Sequence, residues 1–414
     1  MKTSKLLFGA AFLSALASCK KDDKKNDTPV VTAVTDTVSG NISGTWSKGS
    51  THYINGDVFI PEGQSLIIEP GVTVKMIAEA HPEFIIKGNF YAEGTADAPI
   101  TFTGTGAKAQ WGEQWGGLLA GPSCQEFLLN YVIMEQGGAV TTDESSSVKA
   151  GFYKAEAGDH VPAIWYGGNG KFVVTNSTIR NFNEDGFYIE GGSVIVANNY
   201  FYTTGISGGD EVNIKSGVHA DVAFNVVYSP NTNAMKLSNT GDKPVQAYVI
   251  GYNNTIVNCG WRRPTTKGGS IWLEKTVRAD LYNNLLINNR YGVKRDKGAP
   301  EDSRSVISHT YYYGYTQTAV DQFQPTDEIV KGTGDVIATT AGANDPQLEN
   351  YPLNTDVNNA DFNSSWDFHL KPGSPALTGG VTGFTRNFSA GLTLNGKTYS
   401  SPEPAVHYGA LGTK

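Results

Sequence analysis

Three cysteines in 414 residues cannot staple a fold. Cys19 lies at the end of the leading segment, which leaves only Cys124 and Cys259. Long amphipathic helical patterns are also missing, which argues against a helical bundle. Basic residues form no stripe, so no nucleic-acid partner is expected. The leading apolar run, Leu6 to Ala17, is too short to anchor a chain across a bilayer. Glycine, by contrast, is abundant at 48 residues, and asparagine recurs throughout. Together these features point to an all-β chain with many turns.

The ends carry an address. Lys2 and Lys5 precede the apolar run, which closes on Leu16-Ala-Ser-Cys19. This is the layout of a secretory signal peptide over residues 1–18. Leu-Ala-Ser-Cys resembles a lipobox, and the resemblance implies cleavage before Cys19 and acylation of its sulfur. The following "KKDDKK" is similar to the export signal of Bacteroidota surface lipoproteins, which implies display at the outer membrane. A plain charged tether is the alternative. Residues 19–44 read as a lipidated Cys and a flexible tether. Loss of Lys2 and Lys5 lowers the basic count from 32 to 30 against 40 acidic groups, a net charge of −10.

Three segments then repeat a motif: "VIVANNYFY" (194–202), "YVIGYNNTIVN" (248–258) and "ADLYNNLLINN" (279–289). Each is an apolar run interrupted by two asparagines, which are poor strand residues. The second position of the pair falls at Ser177, Asn199, Asn225, Asn254 and Asn284, with spacings of 22, 26, 29 and 30. Such a period signals a solenoid. Asn130 reads as an earlier member, followed by an insertion over about 139–161. Between the pairs lie alternating segments, "IWYGG", "FYIEGG", "VNIKSG", "MKLSN" and "IWLEK", each a half-buried strand. The pattern resembles the right-handed parallel β-helix of the pectate-lyase-like superfamily. That resemblance implies an Asn ladder, in which each amide bonds to the next coil about 4.8 Å away. The β-helix is expected over 45–303, with last coils and a less regular C-terminal cap over 304–414. Cys124 and Cys259 would lie four coils apart, about 19 Å, beyond the roughly 7 Å that a disulfide spans. Both thiols are expected free and buried.

If Ile164, Phe187, Val212, Met235 and Ile271 point inward, two outward columns follow. One reads Trp165, Tyr188, Asn213, Lys236, Trp272, and the other Gly167, Glu190, Lys215, Ser238, Glu274. Aromatic faces beside polar groups suit sugar rings, so this face is expected to contact an extracellular polysaccharide. A bland solvated face, with Glu190 and Lys215 as a cross-strand pair, is the alternative. In the next coil Arg295 would face inward, so the register fails there or the core ends. The loop "CGWRRPTTKGG" (259–269) would bring Trp261, Arg262 and Arg263 over the same face.

The turns before these strands carry acids. Asp185 precedes Phe187 and Asp210 precedes Val212, with Glu184 and Glu211 beside them. Carboxylates on adjacent coils could serve as general acid and base on a glycosidic bond. The arrangement is similar to polygalacturonases through Asn183 and Asp185. It departs from them where Gly209 replaces a second Asp and Asn233 stands in place of Gly-His. A lyase would instead use Lys215 as base, and the acids could hold calcium. The expectation is a monomeric, surface-exposed glycan-binding lipoprotein, with a hydrolase or lyase, or a structural adhesin, as alternatives.

Overall fold

A computed structural model describes residues 34–152, 156–206, 208–263, 265 and 268–414. The leader, Cys19 and most of the tether lie outside the described residues. The chain winds into a right-handed parallel β-helix with three strands per coil. One coil shows the plan: Gly192–Ala197 lies on sheet 1, Tyr200–Thr204 on sheet 2 and Val212–Ile214 on sheet 3. Among the described residues, sheet 1 has ten strands, and sheets 2 and 3 share 19 because the first coils bridge them. Successive coils pair in parallel and in register. Solenoid pairing begins before the expected boundary: Thr35–Asn41, assigned above to the tether, pairs with Thr51–Ile60. Its alternating Thr, Val and Ser residues lack the apolar pattern of an inner strand, because this is the outermost coil.

Side chains that alternate inward fill the coils. Phe90, Phe127 and Phe172 stack at 5.4 and 5.1 Å along the axis, and each fully buried ring contributes about 1.5 to 3 kcal/mol. Cys124 and Cys259 are free and buried in this core. At the N-terminal end, Trp46 stacks on His52 at 4.2 Å. His52 is bonded to Ser50 at 2.7 Å and to Asp36 at 2.5 Å. These are the residue types of a hydrolase triad. Ser50 and His52 are nevertheless only 1% and 3% exposed, and the chain closes the core.

The asparagine pairs divide their labour. The first member, at Asn176, Asn198, Asn253 and Asn283, takes φ between 50° and 58°, a left-handed conformation that asparagine tolerates better than most residues. The second member builds the ladder. Asn199, Asn225 and Asn254 each donate from backbone N and Nδ2 to the next Oδ1, over 2.9 to 3.1 Å. The ladder starts at Ser177, whose N donates to Asn199 Oδ1 at 2.9 Å. Asn130 is not a member: it is in register with Thr175, and Val132 takes the ladder position, its N donating to Ser177 Oγ.

At the far end Gln317–Gln322 forms a short helix, N-capped by Thr316, and Phe323 packs on Tyr312 at 5.3 Å. The residues beyond it do more than cap the end. They run back along the outside of sheets 1 and 2 as a strap. Phe362 stacks on Tyr202 at 4.0 Å. Asn253 and Asn283 donate to His407 O and Val381 O. Asp221 accepts from the backbone N of Asn387 and Phe388 and from Ser401 Oγ. The hairpin Leu392–Leu394 and Lys397–Tyr399 reaches Glu93 through Tyr399. The strap covers outward apolar residues that would otherwise face water, such as Leu128, Val173 and Ile195.

Candidate functional site

Sheet 3 places the predicted columns in line. Trp165, Tyr188, Asn213, Lys236 and Trp272 pair successively, and Lys294 follows Trp272. They do not form one open face. The insertion packs over the N-terminal half, with Phe152 stacked on Trp165 at 4.7 Å, so Trp165 is 4% exposed. The cause lies in earlier coils, where the same column carries Phe59, Ile85 and Leu119. That apolar strip needs a cover. The open remainder is a cleft of about 620 Å³. Its lining includes Asp185, Asp210, Asn213, Lys215, Lys236 and Trp272.

Two carboxylates meet on one amide. Asn213 Nδ2 donates to Asp185 Oδ2 at 3.0 Å and to Asp210 Oδ2 at 3.3 Å. Asp185 Oδ1 also accepts from Gly209 N and Asp210 N, and Asp210 Oδ1 accepts from Asn233 Nδ2 at 2.7 Å. Gly209 has φ of +103°, and a Cβ there would lie 2.6 Å from Gly205 Cα. The turn therefore excludes the second aspartate that the polygalacturonase pattern has at this position. Burial first, and then the charge of Asp185, push Asp210 up to about 6. Lys215 is driven down to about 8, by burial first and then by Lys236. Its ammonium lies 5.1 Å from the Tyr188 ring centre and donates to Thr240 Oγ1.

Other predicted residues are placed differently. Glu211 does not line the cleft. It is fully buried beneath the pair, takes a bond from Thr204 Oγ1, and has an unpartnered Oε2. Burial pushes it up to about 8. Trp261 and Arg262 turn away from the face. Trp261 donates to Asn288 O, and Arg262 to the carbonyls of Thr204, Gly205 and Ser229. Three backbone acceptors hold Arg262 more firmly than an exposed position would. From that loop Arg263 lines the cleft. Glu190 accepts from Trp165 Nε1 at 2.8 Å, and Glu274 from Trp272 Nε1 at 2.9 Å. Arg295 is in register with Leu273, is paired with Glu301, and lines the cleft, so the core ends at this corner.

Sequence reasoning gave no role to Phe152, Arg295, Lys297 or Glu328. Arg295 was signalled by a charge at an inward position. Phe152 and Glu328 lie in stretches without periodicity, which gave no signal. Among the described residues, no group of three or more His, Cys, Asp or Glu side chains is arranged to hold a metal. The two aspartates are already occupied by amide donors. The arrangement thus offers an acid, a carboxylate acceptor, two ammonium groups and an indole in one cleft.

No curated protein and no solved structure gave a match to this chain. Residues 38–294, more than half of the 414, match the family described as pectate-lyase like beta helix domain. With its three parallel sheets in continuous register, the chain belongs to that family.

Proposed function

We propose that the chain takes an extracellular polysaccharide into the Asp185–Trp272 cleft and cleaves its glycosidic bonds by acid–base chemistry. The observation that supports this is the pair Asp185 and Asp210 on one amide nitrogen, with Asp210 pushed up to about 6. Environments that push two titratable groups apart divide acid and base roles between them. Asp210 gives its proton to the leaving glycosidic oxygen. Asp185, whose oxygens accept three N–H bonds, takes the proton of the attacking water. Lys236 and Trp272 hold the sugar rings beside the pair. The burial of Trp165 weighs against a purely aromatic binding face.

A second reading, binding without turnover, rests on the half-exposed Trp272 ring beside Lys236 and Lys294. Lipidation at Cys19 and outer-membrane display complete the proposal; radiolabelled palmitate incorporation lost in Cys19→Ala tests the first, and protease accessibility on intact cells tests the second.

The test is a screen of neutral and uronate-containing polysaccharides, with and without calcium. Reducing-end release that Asp210→Asn abolishes is the expected result. Unsaturated products lost in Lys215→Ala would assign a lyase instead. Binding without product, lost in Trp272→Ala, would establish the second reading.

A further inference from the structure

The turn residues that lead into sheet 3 stack in a column of their own. Phe187, Val212, Met235 and Ile271 are in register on successive coils. Two places before them in the chain stand Asp185, Asp210, Asn233 and Gly269. Asp210 therefore lies between a carboxyl on one side and an amide on the other. All three side chains are buried, with Asn233 only 3% exposed. Gly269 brings no side chain, so the column ends at Asn233.

The two oxygens of Asp210 meet different donors. Oδ1 accepts from Asn233 Nδ2 at 2.7 Å. Oδ2 takes the longer bond, 3.3 Å, from Asn213 Nδ2, which lies nearer to Asp185 Oδ2, at 3.0 Å. An amide nitrogen donates and does not accept, so Oδ1 holds no proton toward Asn233. The proton of the neutral acid then sits on Oδ2. When it leaves, Asn233 goes on donating to a carboxylate, and a hydrogen bond to an ion is stronger than one to a neutral group. Burial and the charge of Asp185 raise Asp210, while Lys236, the Asn233 amide and Lys215 act against them.

We propose that Asn233 is a positioning residue for the acid: it fixes the reactive proton on Asp210 Oδ2 and stabilises the carboxylate left behind. The inference rests on the proposed function. In that step the leaving glycosidic oxygen takes the proton from Oδ2 as its bond to the sugar carbon breaks. Water supplies the new oxygen and gives its proton to Asp185. Asn233 gives up no proton and acts through Asp210.

The experiment uses Asn233→Ala and Asn233→Leu, which both remove the donor; the leucine also keeps water from taking its place. The first readout is the pH profile of kcat/KM on the polysaccharide found active in the screen. The second is the titration of the Asp210 carboxyl carbon by NMR on protein with labelled aspartate, its signal identified by its loss in Asp210→Asn. In wild type the alkaline limb follows the ionisation of Asp210, at about 6. Loss of a bond to the charged form raises a carboxyl. Both readouts are expected to move up by about one pH unit, tenfold in the ionisation constant. Asp185, Glu184, Lys215, Lys236 and Arg263 line the cleft around Asp210, and the charge of Glu211 acts on it from beneath. Each is the same in variant and wild type, so the difference reads the amide. An unchanged carboxyl titration, or a downward shift from an amide turned round to accept the proton, would overturn the inference while leaving the cleavage in place. An upward carboxyl shift with no polysaccharide cleaved would uphold the hold of Asn233 on Asp210 and overturn the proposed function alone.

Discussion

At the scale of the residue, two buried side chains carry opposite lessons. Glu211 sits protonated beneath the acid pair, and its folded value of about 8 exceeds the ordinary 4.5. A raised carboxyl is a stability contribution present at low pH and lost as pH rises through the folded value, because the unfolded chain ionises first. Glu211→Gln removes that loss. Its unfolding free energy, from urea titrations, should exceed that of wild type by a margin that widens from about pH 5 to pH 8 and then levels, a few kcal/mol in all. A constant margin would show that Glu211 is not held protonated. Asn225, in contrast, is wholly committed to the ladder. Asn225→Ala strands the backbone N of Asn199 and removes the bonds to Asn254 and Val196. A loss of about 2 to 4 kcal/mol should appear as a lower urea midpoint at unchanged slope. The ladder was legible because each asparagine falls at a fixed offset from the next apolar strand. The error at Asn130 arose where the insertion broke that spacing.

At the scale of the element, the strap hangs on single side chains. Asp221 is fully buried on the outside of sheet 1 and accepts three donors from the C-terminal residues. Asp221→Ala is expected to leave the coils intact and to free the strap around residues 386–401. Hydrogen exchange there should rise well above that of sheet 3; unchanged protection would mean that the apolar contacts alone hold it. Neither the strap nor the insertion could be read from the sequence. Strand register follows a local period of two, so the columns from Ile164 to Leu273 were legible. The partners of Asp221 and Trp165 are set by contacts with segments that have no period of their own. Asp221 lies more than 160 residues from Asn387, and Phe152 reaches Trp165 from within the insertion. The reading of Trp165 as an exposed platform failed for that reason.

At the scale of the whole molecule, a solenoid's stability is a sum over neighbouring coils, and the strap adds contacts that skip many of them. It joins the coil of Asn283 to that of Glu93. Removal of everything after Thr340 should bare Tyr228, Leu285 and Val173. The truncated chain is expected to associate, as read by light scattering after size exclusion. A truncated chain that stays monomeric would show that the coils need no cover. The strap also changes how the protein would bear a pull. Parallel strands stacked along an axis separate one at a time under tension along that axis, as a zipper opens. A strip fastened lengthwise across the teeth must slide before any of them part. A protein that grips a long polymer in moving water would then resist in shear rather than by peeling.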